Sequence, residues 1–428
     1  MDIIKSRKVS YKYALYLLIL VLGFIQPCLA EDTETKIFDP NVRSLFIENP
    51  DNFFSPPVIR LGTSDRLSVS FDILGDAAEY LRFNIIHCNA DWQPSRLLES
   101  EYLDGFNEVE VNDFAYSNNT FIHYVNYKIE IPNPDLPIIH SGNYLLKIYP
   151  EYMPENPLLQ IRFSVSENIL PIGGTVSSNT DKGFNTEFQQ LKLFLNLPEN
   201  SKINPYQDLT VSVIQNNTPS TQKNVYHPSR IDGRTAIYEH EPNLIFPASN
   251  EFRRFETVRI DYPGMHVDSV RFENPVWNAF LKEDLLRKDR EYVYDMTQHG
   301  KFKIDEYNST DPDLGADYVM THFTLDIPQI FGANVFIDGD FTLHQYNENT
   351  MLKYDFNTNK YYLDLPLKQG SYNYRYVVKE EGKDKPDLGF IEGNKYETSN
   401  EYLVQVFLRS PGSRGDRLIG STILTTGF

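Results

Sequence analysis

The sequence predicts an all-β protein made of tandem β-sandwich domains, and three observations carry that prediction. Apolar residues recur with period 2 in many short runs, while no tract sustains a helical period. Loops rich in Pro, Asn, Asp and Gly separate those runs. The chain also carries 28 Tyr and 28 Phe, residues suited to pleated, half-buried surfaces. At 428 residues it exceeds one domain. The expected division is a leader over 1–30 and three domains over 31–168, 169–315 and 316–428.

The leader comes first. Lys5, Arg7, Lys8 and Lys12 precede an apolar core from Ala14 to Ile25, and Cys28-Leu29-Ala30 supplies small residues at the cleavage-determining positions. This is the pattern of a cleavable secretory signal peptide, and the run is too short for a spanning helix. Cys28 invites a lipoprotein reading, but Ile25-Gln26-Pro27 lack the small residues of a lipidation box. No later run reaches the ~20 apolar residues of a membrane helix, so an exported chain without direct membrane insertion is expected. The first 30 residues contribute +3 to a formal charge of −19, leaving −22 on the rest. That balance argues against binding nucleic acid or anionic lipid. Beyond residue 30 the one cysteine is Cys88, so that part can form no internal disulfide.

In the first domain, Leu67, Val69, Phe71 and Ile73 alternate with Ser68, Ser70 and Asp72 as a half-buried strand. The organising stretch is Phe83 to Ser95, FNIIHCNADWQPS. Leu81, Phe83 and Ile85 point one way, Ile86 and Cys88 the other, so the strand is expected to be buried on both faces. It breaks at Asn89-Ala90-Asp91, and Pro94 prevents return to the ladder. Trp92 is expected to cap the sandwich core; the competing reading is a stacking platform for a ligand. Cys88 reads as a small hydrophobe rather than a nucleophile. Strands then follow at Glu108 to Val111, Phe121 to Ile131, Tyr144 to Tyr149 and Leu159 to Val165, an immunoglobulin-like spacing.

Pro171-Ile172-Gly173-Gly174 reads as a linker into the second domain. Leu191, Leu193, Leu195 and Leu197 alternate with Lys192, Phe194 and Asn196; Leu209, Val211 and Val213 repeat the pattern. Asn216-Asn217 and Asp232-Gly233 supply hairpin turns, and Phe252 to Asp261 is a further strand. Phe280 to Arg290, FLKEDLLRKDR, is the best helix candidate, good for a turn or two. In the third domain Val319, Thr321, Phe323 and Leu325 form a strand, and Ala333 to Ile337 leads into Asp338-Gly339-Asp340-Phe341. Tyr372, Tyr374 and Tyr376 then occupy every second position of another strand and read as core packing. This order resembles early-set immunoglobulin-like domains, which include glycogen-binding modules. Thr342-Leu343-His344-Gln345 stands where those modules carry a stacking tryptophan.

No set of residues reads as catalytic. Asp338 and Asp340 read as turn chemistry, not as a carboxylate pair across a cleft. Asp311, Asp313 and Gly315 resemble the start of a calcium loop without its later ligands. The nine His show no zinc spacing, and GxSxG and phosphate-cradling glycine loops are absent. Arg414-Gly415-Asp416 is a tripeptide that chance supplies in a polar tail. No cofactor or metal is expected.

IIHCNADWQPS, EYLDGF (Glu101 to Phe106), SGNYLL (Ser141 to Leu146) and NEFRRFE (Asn250 to Glu256) resemble the motifs of the type IX secretion system plug proteins. The order of domains is similar too, and the resemblance covers nearly the whole chain after the leader. It marks His87, Cys88, Asn89, Asp91 and Trp92 as family-motif, structural residues. It implies a non-enzymatic periplasmic protein of Bacteroidetes-type bacteria that closes the periplasmic mouth of the outer-membrane translocon barrel, its partner, while no substrate is engaged. The alternative expectation is an exported glycan-binding protein that uses its C-terminal early-set domain.

Overall fold

Strand follows strand from Lys36–Ile37 to Arg417–Thr425, and helix is confined to single turns at Glu99–Tyr102 and Pro312–Gly315 and three 3-10 turns among the described residues. The computed structural model describes residues 32–199 and 201–426; the expected signal peptide and Cys28 lie outside them. From Glu34 onward the chain forms one body. No helix among the described residues is long and apolar enough to cross a membrane.

The first sandwich packs two sheets face to face. One runs Lys36–Ile37, Leu159–Ser166, Gly142–Pro150, Leu81–Cys88, Val109–Glu110, with Val58–Arg60 added parallel to Leu159–Ser166. The other runs Val42–Glu48, Leu67–Leu74, Tyr124–Ile131, Asp113–Tyr116. Period-2 alternation sends Val69, Phe71, Ile73, Phe83, Ile85, Tyr144, Leu146 and Ile148 into one core.

Sheet pairing crosses the expected boundary between the second and third domains, at 315/316, in both directions. The second sandwich takes Ile172–Ser177, Phe188–Asn196, Thr235–Tyr238 and Arg230–Asp232 in one sheet. Its other sheet is Lys223–Val225, Leu209–Gln215, Glu401–Leu408, Arg417–Thr425, so the C-terminal hairpin belongs here and not to the third domain. Leu209 pairs with Leu408 and Gln215 with Tyr402, burying Val404 and Val406 against Val211 and Val213. The third sandwich begins earlier than expected. Arg253–Glu256 and Phe302–Ile304 flank Gly370–Glu380, with Ala333–Asp338 also on that strand. The facing sheet runs Val267–Glu273, Val276–Leu281, Tyr318–Asp326, Lys360–Lys368, Lys353–Asp355. The third sandwich is therefore inserted into the second. The physical reason is face coverage: the stretch before residue 249 supplies one full sheet but only two strands of its partner.

Phe280 to Arg290 is not helical. Val276–Leu281 and Asp284–Leu285 are strands that pair parallel to Tyr318–Asp326, placing Ala279 and Leu281 in the core. Alternation of inward residues overrides the weak helical pattern there. Tyr372, Tyr374 and Tyr376 all lie in the core of the third sandwich.

Candidate functional site

The motif turn begins where the Leu81–Cys88 strand ends. Trp92 N–H donates to the Asn89 carbonyl at 2.9 Å, Asn89 N–H to Gln93 at 2.9 Å, and Gln93 N–H to the Asp91 carboxylate at 3.1 Å. Asp91 itself is exposed. Trp92 takes a left-handed φ of 65°, which folds the indole back under its own strand against Cys88 and Leu145. It is 8% exposed, and the Arg162 guanidinium lies 4.5 Å from the ring centroid. Trp92 is thus buried, but on the outer face of the sheet rather than between the sheets. That outer face is also where Cys88 is fully buried.

Three motifs interlock at this point. The His87 ring packs edge-on against Tyr144 and His140. The Ser141 carbonyl accepts from His87 Nε2 at 3.1 Å and from His140 Nδ1 at 2.7 Å. Burial pushes the His87 pKa down to about 4. Gly142 has a φ of 148°, and a Cβ there would lie 2.2 Å from His87 Nε2, so this position requires glycine. Asn143 Nδ2 donates to the Asn89 carbonyl at 3.0 Å. In the EYLDGF motif the Tyr102 hydroxyl donates to the Ile85 carbonyl at 3.3 Å.

The same cluster faces the C-terminal hairpin. Asp416 accepts from the Ala90 N–H at 2.9 Å and from Arg409 Nε at 2.5 Å, while Arg409 Nη2 donates to Asn89 Oδ1 at 2.6 Å. Arg414 pairs with Glu101. Arg417 forks onto Glu167, whose other hydrogen bond comes from the Ser141 hydroxyl at 2.6 Å. Burial opposes the charge on Glu167, yet Arg417 and Ser141 hold its pKa below the ordinary range. Ala90, Phe407 and Leu418 supply a small apolar contact between the two sandwiches. Arg414-Gly415-Asp416 is therefore part of a joint and not of a loose tail.

A second joint uses NEFRRFE, where the chain passes into the third sandwich. Asn250 Nδ2 donates to the Glu392 carbonyl at 2.8 Å. Arg253 donates to Glu392 at 2.9 Å and to Asp284 at 2.7 Å, and Asp284 also accepts from the Tyr374 and Tyr376 hydroxyls at 2.7 and 2.8 Å. Burial opposes ionisation of Asp284, but Arg253, His266 and the Tyr374 hydroxyl bring its pKa to about 2. Nearby, the Asp338-Gly339-Asp340 turn is bridged by His344, whose two ring nitrogens each stand 2.9 Å from one carboxylate. Arg375 holds Asp338 from the other side at 2.8 Å and reaches Thr218 of the second sandwich at 3.0 Å. Leu343 packs against the first sandwich, and Gln345 donates to the Thr35 carbonyl at 3.1 Å. The place of a glycan-stacking tryptophan is thus taken up by contact between sandwiches.

The type 9 secretion system plug protein 1st domain matches residues 42–167, the span that holds the interlocked motifs. The crystal structure of a hypothetical protein from Parabacteroides merdae is 36% identical, covers 92% of this chain and 99% of its own, and superposes with a TM-score of 0.90. The chain belongs to the type 9 secretion system plug protein family. Membership ties it to type 9 secretion and to the cell envelope. No curated protein matches it. An alkylpurine DNA glycosylase from Pseudomonas fluorescens, 12% identical over 29% of this chain and 30% of its own, has a TM-score of 0.18 and bears on nothing here.

Sequence reasoning missed the third joint of this plug family chain. Lys368 Nζ lies 2.7 Å from the Asp72 carboxylate, both fully buried. Asp72 also accepts from the Tyr318 hydroxyl at 2.6 Å and from Asn126 Nδ2 at 2.8 Å. Burial pushes Asp72 up and Lys368 down, each toward its neutral form, so these hydrogen bonds offset a real desolvation cost. Asp317 accepts from the Phe121 and Ile122 N–H groups at 2.8 and 3.1 Å in the same joint. One signal was available: Asp72 interrupts the polar Ser68, Ser70 series with a charge.

Proposed function

We propose that this chain is a non-enzymatic periplasmic plug, which binds and closes the periplasmic opening of the type IX secretion translocon barrel while no substrate is engaged. One observation carries the reading beyond family membership. Three sandwiches are tied pairwise by buried polar joints, and the third is inserted in the second, so a push on any one is resisted by the others. Such a body suits a stopper. A compact sandwich of about 130 residues is roughly 36 Å across, so three together match an opening of several tens of Å. The paired carboxylates of the Asp338-Gly339-Asp340 turn are already bonded to His344. Side chains left for outside contact include Tyr80, Phe106 and Tyr152, each more than four-fifths exposed.

The test is genetic. Deleting the gene should sensitise cells to a bulky antibiotic such as vancomycin, and deleting the translocon as well should remove that sensitivity. The protein should also co-purify with the resting translocon. Sensitivity that persists in the double deletion, or a pair never recovered together, overturns the reading.

A further inference from the structure

A cavity of about 140 Å³ lies where the three sandwiches meet. The first contributes Phe46, Phe53 and Trp92, the second Ile214 and Leu403, and the third Phe302. Its walls are thus largely aromatic and aliphatic. A void of about 150 Å³ with such a lining holds one benzene-sized ring, while drug-sized ligands need about 300 Å³ or more. Size therefore selects a single ring.

The polar groups on its wall select the rest of the ligand. Gln405 also lines it, only 2% exposed, with its side-chain nitrogen lacking any hydrogen-bond partner. A buried donor left in this state asks for an acceptor. Lys301 is buried beside the same space, its ammonium 3.9 Å from Glu401, beyond hydrogen-bond length. Arg162 and the His344–Asp340 pair complete the charged lining. We propose that this cavity binds a small aromatic carboxylate, with the ring among Phe46, Phe53, Trp92 and Phe302 and the carboxylate at the Gln405 amide and the Lys301 ammonium. All three sandwiches would touch such a ligand, so binding tightens the whole body. The proposal stands independently of the barrel as partner.

The test uses calorimetric titration of the purified protein with 3-phenylpropionate and, separately, with its neutral amide. Saturable binding of the acid is expected, about tenfold or more tighter than the amide. Gln405→Leu should weaken the acid about fivefold or more and the amide, whose carbonyl also accepts from Gln405, by less, about two- to threefold. Ile214→Phe, which fills the void, should abolish both. If Gln405→Leu fails to fold, Gln405→Glu serves in its place and should lose the acid while retaining the amide. Absence of saturation up to about 10 mM, equal affinity for acid and amide, or unchanged binding by Ile214→Phe overturns the proposal.

Discussion

The first sandwich meets the second through short polar side chains, backbone groups and a small apolar contact. It meets the third through a buried ion pair. In the first case Asn89 and Ala90 meet Arg409 and Asp416 across the joint, braced from within the first sandwich by Asn143 and Gly142, and the charged partners Arg409, Arg414 and Arg417 sit near solvent. In the second, Asp72 and Lys368 are removed from water and rely on Tyr318 and Asn126 to complete their hydrogen bonds. The first joint depends on close fit, so its residue types are confined and read as a motif. The second depends on a matched charge, which leaves little trace in local sequence. Buried pairs are costly to halve but cheap to replace whole.

That contrast can be broken most forcefully at the ion pair. Lys368→Met should destabilise by about 3–5 kcal/mol, because it strands a buried carboxylate. Adding Asp72→Leu should recover most of that loss in chemical denaturation; a double variant no better than the single would mean that shape, not charge, holds the joint. Trp92→Ala comes next, at about 3 kcal/mol from lost packing. A variant that unfolds like wild type yet loses its secretion phenotype would instead make Trp92 a contact residue. Gly142→Ala should cost about 2–3 kcal/mol through the left-handed backbone and the clash with His87.

The two buried histidines sharpen the comparison in opposite directions of pH. His87 is depressed to about 4, so the unfolded chain takes up its proton first as pH falls below 6.5, and stability drops from there toward pH 4. For His344, burial disfavours charge, but Asp338 and Asp340 raise its pKa to about 9. Its contribution is fully present below pH 6.5 and is lost as pH rises through 9. Melting temperature should therefore fall at both ends; His344→Gln should flatten the alkaline limb and leave the acid limb in place. The smallest effect belongs to Arg414→Ala, whose half-exposed pair with Glu101 is screened by solvent, so the unfolding midpoint should hardly move. A larger loss would show that the rim of the first joint works as a network.

The alternation of Leu67 to Ile73, of Leu191 to Leu195 and of Val319 to Leu325 determined by itself that these segments are strands and which side chains turn inward, because a period of 2 is a local property. Composition and turn residues likewise determined the sandwich class, and the motif blocks pointed to the family. Tertiary structure alone decided which strands pair. The Glu401–Leu408 strand carries the same alternation whichever sheet receives it, and only coverage of the Leu209–Gln215 strand places it in the second sandwich. It also decided the side on which Trp92 is buried, since a single left-handed residue turns the indole to the outer face. Asp72 and Lys368 were assigned to each other only in three dimensions, because 296 positions separate them and a charge carries no mark of its partner until both have left water.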